Sequence, residues 1–195
     1  MGRCRSCFLL FCRKKKDYIV PNKCEKSKEK VMFKINEYVI YNSMGVYKIV
    51  DVRREKDITG NETEYYILKP AYGNNLTIKT PVNNPRNNMR TTLSKEGVLS
   101  LIESMPQKET YWISNDRQRN ESFKAALRTG DSEQWIKLIK TIYLEQHKKS
   151  IQGKKLARTD EDIMKAAEKN LYEEFAVALG IPPDEVVSYI MEHGS

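Results

Sequence analysis

From Met32 to about Thr80 apolar and polar residues alternate, and this period of two predicts strands. FKINEYVIY gives one around residues 38–41 and VYKIVDVRR a second around 46–53, while EYYILK (64–69) and NLTIKTPV (75–82) add two more. Turn residues separate them: Asn42-Ser43-Met44-Gly45, residues 57–61 around Gly60, and Gly73-Asn74-Asn75. Four or five short strands in roughly fifty residues predict a small, strongly bent antiparallel sheet of the SH3-like or Tudor-like kind. Such a module is built to bind, since its interior is too small for a buried active site.

NNPRNNM (83–89) has no periodicity and reads as a loop, which sets a boundary between a domain at 32–90 and another at 93–195. After it the period becomes 3.6. A helix is expected over 93–104, capped by Ser94, and a second over 115–129, with Asn115 as cap and Gly130 as stop. Ser132 is expected to cap a third helix, whose Trp135, Leu138, Ile139 and Ile142 recur at i, i+3, i+4 and i+7. Thr159-Asp160-Glu161-Asp162 opens a long fourth, with acids where the macrodipole favours them. Ile163, Ala167, Leu171, Ala178 and Leu179 carry it to Gly180, and Ile181-Pro182-Pro183-Asp184 leads into a short last helix. The fold class is therefore α+β: a small antiparallel β module followed by a compact all-α domain of about five helices.

Charge alters this picture through its distribution. The net charge is +8, but residues 1–31 alone hold ten Lys/Arg against three Asp/Glu. Residues 93–158 carry +5 and residues 159–195 carry −7, so the body has a basic middle and an acidic end. All four cysteines, Cys4, Cys7, Cys12 and Cys24, lie in the tail. No disulfide framework holds the body, and a reducing cytoplasm is the expected setting. The irregular cysteine spacing argues against a zinc site, and CFLLFC (7–12) is too short for a signal core or a membrane span. The tail reads as a basic disordered extension or as sequence upstream of a start at Met32.

Catalytic chemistry finds no footing. His147 and His193 stand apart from any nucleophile or spaced second ligand, and no phosphate-loop, dinucleotide or zinc-protease motif occurs. Glu173 and Glu174 are expected to be solvated on an ordinary helix face. No enzyme, cofactor or metal is expected. Residues 112–158, by contrast, hold eleven basic and five acidic residues, among them Arg117, Arg119 and Lys124 in the second helix and Lys154, Lys155 and Arg158 after the third. Such a cluster suits phosphate contacts, although solvated helix faces would look similar. Trp112 belongs to no apolar stripe: it either folds back into a helix junction or stands exposed beside the basic surface.

MFKINEYVIYNSMGVYKIVDV, GNETEYYILK and LTIKTPVNN, followed by TYWISNDRQRNESFKAALRTGD and GKKLARTDEDIMKAAEKNLYEEFAVALG, resemble the CarD/CdnL family of bacterial transcription regulators across residues 32–195. The resemblance implies a Tudor-like module that docks on the β subunit of RNA polymerase. It also implies a helical domain against promoter DNA at the upstream edge of the transcription bubble. Lys56 and Lys79 match polymerase-facing basic positions, with Arg53 and Arg54 beside them. Both are Lys where family members carry Arg, so bidentate carboxylate pairing is lost. Trp112 matches a minor-groove wedge that stabilises the open complex, flanked by Arg117, Arg119 and Lys124. A cytoplasmic monomer without a membrane partner is expected. The competing class is a stand-alone architectural DNA-binding protein, with an adaptor working through its acidic end as a third.

Overall fold

A computed structural model describes residues 33–56, 60–73, 76–83 and 89–194. The cysteine-bearing tail lies outside these residues, as do 57–59, 74–75 and 84–88 of the expected turns and loop. The sheet contains β1 (Tyr38–Tyr41), β2 (Val46–Lys56), β3 (Glu62–Pro70), β4 (Ile78–Pro81) and β5 (Met89–Thr91), in the antiparallel order β4-β3-β2-β1-β5. A fifth strand thus follows the loop where sequence periodicity stops: three residues are too few to show a period. β5 pairs with β1, Ile40 standing opposite Arg90.

Alternation gives the sheet two apolar faces. Val39 pairs with Tyr47, and with Ile49, Tyr66 and Leu68 they form one small buried cluster. Ile40 pairs with Val46, and both join the core built by the helices. The helices are α1 (Lys95–Ser104), α2 (Asp116–Arg128), α3 (Ser132–Ile151), α4 (Arg158–Leu179) and α5 (Val186–His193), and single 3-10 turns precede α5 and follow α1. Among the described residues, no helix is long and apolar enough to cross a membrane. A five-stranded antiparallel sheet followed by five helices is the expected α+β architecture, and the two pack as one compact unit, Met32–Ser195.

Local chemistry decides the helix ends. Ser94 accepts from the Gly97 N–H and Asn115 from the Gln118 N–H, as expected of caps. The cap of α3 is Asp131, which accepts from Glu133 N–H, and not Ser132. Ser132 is the first helical residue and turns its hydroxyl inward, donating to Glu174 Oε2 at 2.6 Å. Gly180 ends α4 in the left-handed region at φ 72°. Trp135 is fully buried at the centre of the helical core, as its stripe predicts.

Glu173 and Glu174 are not solvated: their relative exposures are 7% and 0%. Both sit where α4 meets the sheet. Glu173 accepts from the Val46 N–H at 3.4 Å, and neighbouring Asn170 donates to the Ser43 carbonyl at 3.2 Å. Gly45 completes this junction at φ 110°, where an added Cβ would stand 2.5 Å from Glu173 Oε2. Burial pushes the Glu173 carboxyl above the usual glutamate range, against the opposing influences of the Val46 N–H and Lys169. With a raised folded-state pKa, the ionised form costs stability at neutral pH. That cost is relieved as pH falls through the folded value and is gone below the unfolded value, about 4.5. Glu173→Gln is therefore expected to raise the melting temperature at neutral pH and to flatten its pH dependence above about 4.5. Thermal unfolding followed between mildly acidic and neutral pH tests this; an unchanged slope would show that the carboxylate relaxes into water.

Candidate functional site

The segment between the 3-10 turn and α2 that carries Trp112 is tied down independently of the ring. Lys140 Nζ donates to the carbonyls of Pro106 at 2.7 Å and Lys108 at 2.8 Å, so this cation serves a structural purpose. Tyr111 N–H donates to Thr141 Oγ1 at 3.3 Å, and the Tyr111 ring meets Phe123 edge-on. Trp112 comes next and is half-buried, packed against the helical core, its ring 6.1 Å from Phe123 in an edge-to-face arrangement. Both positions left open by the sequence are thus partly occupied: one side of the indole is core, the other is surface.

Two cations sit over the indole, Arg119 with its guanidinium carbon 4.4 Å from the centroid and Lys149 with Nζ at 5.1 Å. Arg119 differs from the phosphate-binding residue expected at its position. It is 3% exposed and paired with Asp160, itself 1% exposed, through Nη2 at 3.0 Å and Nε at 3.2 Å. It also donates to the Ile113 carbonyl at 3.0 Å and pairs with Asp116 at 2.8 Å. Burial works against its charge, but hydrogen bonds to Asp160 and Asp116 outweigh burial and hold its pKa above the ordinary arginine value. A guanidinium so committed has no fork left for DNA.

The other expected cations remain outside. Arg117 is exposed and reaches Glu121 at 3.4 Å, and Lys124 follows on the same stripe of α2. Lys154, Lys155 and Arg158 are exposed on the connection from α3 to α4. Two contacts bring that connection beside the tryptophan: Lys149 over its ring, and Asp160 on Arg119. Lys149 belongs to the site although spacing does not single it out; the signal is the run of five cations without an acid from 148 to 158.

On the sheet, Arg53, Arg54, Lys56 and Lys79 are all exposed, each paired with a carboxylate: Asp51 at 2.7 Å, Glu64 at 2.7 Å, Glu62 at 3.6 Å and Glu55, respectively. Strand alternation divides them. Arg53 and Lys79 share one face of the sheet with Tyr65, whose ring lies 4.3 Å from Lys79 Nζ, whereas Arg54 and Lys56 occupy the other. The Asp51 carboxyl is held below its usual range by Arg53. Exposed pairs of this kind contribute at most about 1 kcal/mol, so a partner's carboxylate can take over either cation at little cost.

Residues 33–93 match the family model described as the CarD-like/TRCF RID domain, a segment that includes the whole five-stranded sheet. No curated protein matches the chain.

Proposed function

We propose that this chain, which carries a CarD-like/TRCF RID domain at residues 33–93, is a non-enzymatic transcription regulator that stabilises the promoter open complex. The RID domain supports an RNA polymerase-interacting, transcription-related protein. The finer reading adds the β subunit as the docking partner and promoter DNA at the upstream bubble edge as the target. The protein works in the cytoplasm as a monomer.

One observation carries the DNA half: a half-buried indole fixed from behind by Phe123 and Arg119, with half-buried Lys149 over its ring and the exposed cations Arg117, Lys154, Lys155 and Arg158 on the adjoining elements. Arg119 and Lys149 already lie over the ring and compete with any base for it. The indole is therefore suited to press into a groove as a wedge rather than to serve as a stacking platform. Phosphate contacts from the surrounding cations supply position without sequence readout.

The test is open-complex lifetime with the full chain, RNA polymerase and promoter DNA. Trp112→Leu, which keeps an apolar group against Phe123, is expected to leave the protein folded and remove the lengthening of that lifetime. Lys56→Glu with Lys79→Glu is expected to weaken binding to the β subunit while weak binding to DNA alone persists. Unaltered lifetime in the first variant rejects the wedge, and unaltered subunit binding in the second rejects the docking surface. Tight, steeply salt-dependent binding to free duplex would instead mark a stand-alone architectural protein.

A further inference from the structure

Between α3, α4 and α5 lies an open groove of about 430 Å³ with mostly apolar walls. Ile139 and Tyr143 come from α3, Leu171 and Tyr172 from α4, Ile190 from α5, and Met105 from the 3-10 turn after α1. Lys140 also lines it, but its ammonium is committed to the Pro106 and Lys108 carbonyls. The groove opens away from the tryptophan. Thr141 turns its hydroxyl to the Tyr111 N–H, and Ile139 and Tyr143 each stand two residues from it, about 160° around the helix.

Two features distinguish it from an ordinary helix junction. Apolar surface spreads out of it: Tyr143 is 58% exposed, and on α5 Val187 and Met191, 38% and 76% exposed, stand three residues before and one after Ile190. The second feature is an acid without a partner. Glu168 lies one turn before Leu171 and Tyr172 on the same face of α4. Burial pushes its carboxyl above the usual glutamate range, and Lys165 opposes this only in part. Among the described residues no cation forms an ion pair with it. Burial, and then the Glu168 charge, hold the Tyr172 hydroxyl above the usual tyrosine range. Glu192 adds an exposed carboxylate beside Met191, and residues 159–195 carry −7 in all.

We infer that this groove docks a basic amphipathic helix of a partner protein, its apolar anchors entering between α3, α4 and α5 and a flanking lysine or arginine reaching Glu168. Charge selects the occupant. The carboxylates that attract a cationic helix repel nucleic acid and anionic lipid. A second copy fits poorly: in an isologous pair the patch meets itself, and Glu168 and Glu192 face their own counterparts. A groove walled by three helices suits a helical occupant, whose side chains at i, i+3 and i+4 share one face. The groove is independent of whatever Trp112 binds.

The experiment titrates the full chain into a labelled synthetic helix, with leucines at i, i+3, i+4 and i+7 and lysines elsewhere, and follows fluorescence anisotropy. The lysine helix is expected to bind saturably, and a counterpart with glutamate for every lysine is expected not to bind. Tyr143→Ser is expected to weaken binding about tenfold, through the loss of one buried apolar group. Glu168→Gln is expected to weaken it about fivefold and to reduce its salt dependence. Ile35→Ser removes a half-exposed isoleucine outside the groove and is expected to leave binding unchanged. Melting temperatures no lower than that of the unsubstituted chain distinguish weaker docking from partial unfolding. Absence of binding, equal affinity for the two helices, or full affinity in both groove variants would overturn the inference. So would a loss in Ile35→Ser as large as in Tyr143→Ser. A dimer in sedimentation velocity that Tyr143→Ser dissolves would assign the face to a second copy and reject the basic partner.

Discussion

Arg119→Ala is expected to destabilise the protein by about 3–5 kcal/mol and to free Trp112 in the molecules that stay folded. The size follows from what remains. Asp160 is 1% exposed and would keep a buried carboxylate without its partner, and the Ile113 carbonyl would lose its donor. For a chain of this length such a loss lowers the melting temperature by about 10 °C. The double substitution Arg119→Met with Asp160→Leu removes both charges and fills similar volume, so much of the stability should return. The tryptophan should not recover with it, because neither new side chain donates to Ile113 or places a cation over the indole. Denaturant unfolding measures the first effect. The difference in fluorescence between each protein and its Trp112→Phe counterpart reports the second, as a change in emission and in quenching by acrylamide. A loss below about 1 kcal/mol for Arg119→Ala would mean the pair behaves as a solvated surface bridge.

That residue also shows where sequence stops being informative. Trp135 is legible because its apolar neighbours recur at helical spacing, and the sheet is legible because β-branched and aromatic residues alternate between turn signals. Arg119, Glu173 and Glu174 obey no such rule. A buried ion occupies the same positions on a helix as a solvated one, and only its partner distinguishes them. Asp160 lies 41 residues from Arg119, and Arg90 lies 84 residues from Glu174, so no local window contains both members. β5 is illegible for a related reason: three residues gain their identity from β1, not from their own pattern. Asp131 and Ser132 are equally good caps by residue type, and Glu174, from a distant helix, makes the choice by drawing the serine hydroxyl inward. The exposed parts of the candidate site are easier. Lys154, Lys155 and Arg158 stand outside, where a run of cations with no acid among them would place them. Trp112 lies between, since its core side comes from Phe123 and its surface side from Lys149.

Glu174→Ala is expected to cost a similar 3–5 kcal/mol, and to separate polymerase binding from the effect on DNA. The carboxylate is fully buried and accepts from Arg90 Nη1 at 2.5 Å, Arg90 Nη2 at 2.8 Å, Ser132 Oγ at 2.6 Å and Leu93 N–H at 3.0 Å. Those donors belong to β5, the start of α3 and the link into α1, so one side chain ties sheet to helices. Arg90 donates to the Gly130 carbonyl as well and lies 5.8 Å from the Trp135 centroid, which extends the tie into the helical core. Alanine removes the acceptor of all four bonds, leaving the Leu93 N–H unpaired and Arg90 with only the neutral oxygens of Thr91, Ser132 and Gly130. Glutamine keeps one acceptor oxygen but turns an amide toward Arg90, and its cost should fall between alanine and none. If the sheet docks on polymerase and the helices hold DNA, the lengthening of open-complex lifetime depends on how firmly one part carries the other. Glu174→Gln, assayed below its melting temperature, should then retain most of its β-subunit affinity and lose part of that lengthening. Equal losses of both would show that the variant is only less folded. Full retention of both would show that the tie adds stability without transmitting position.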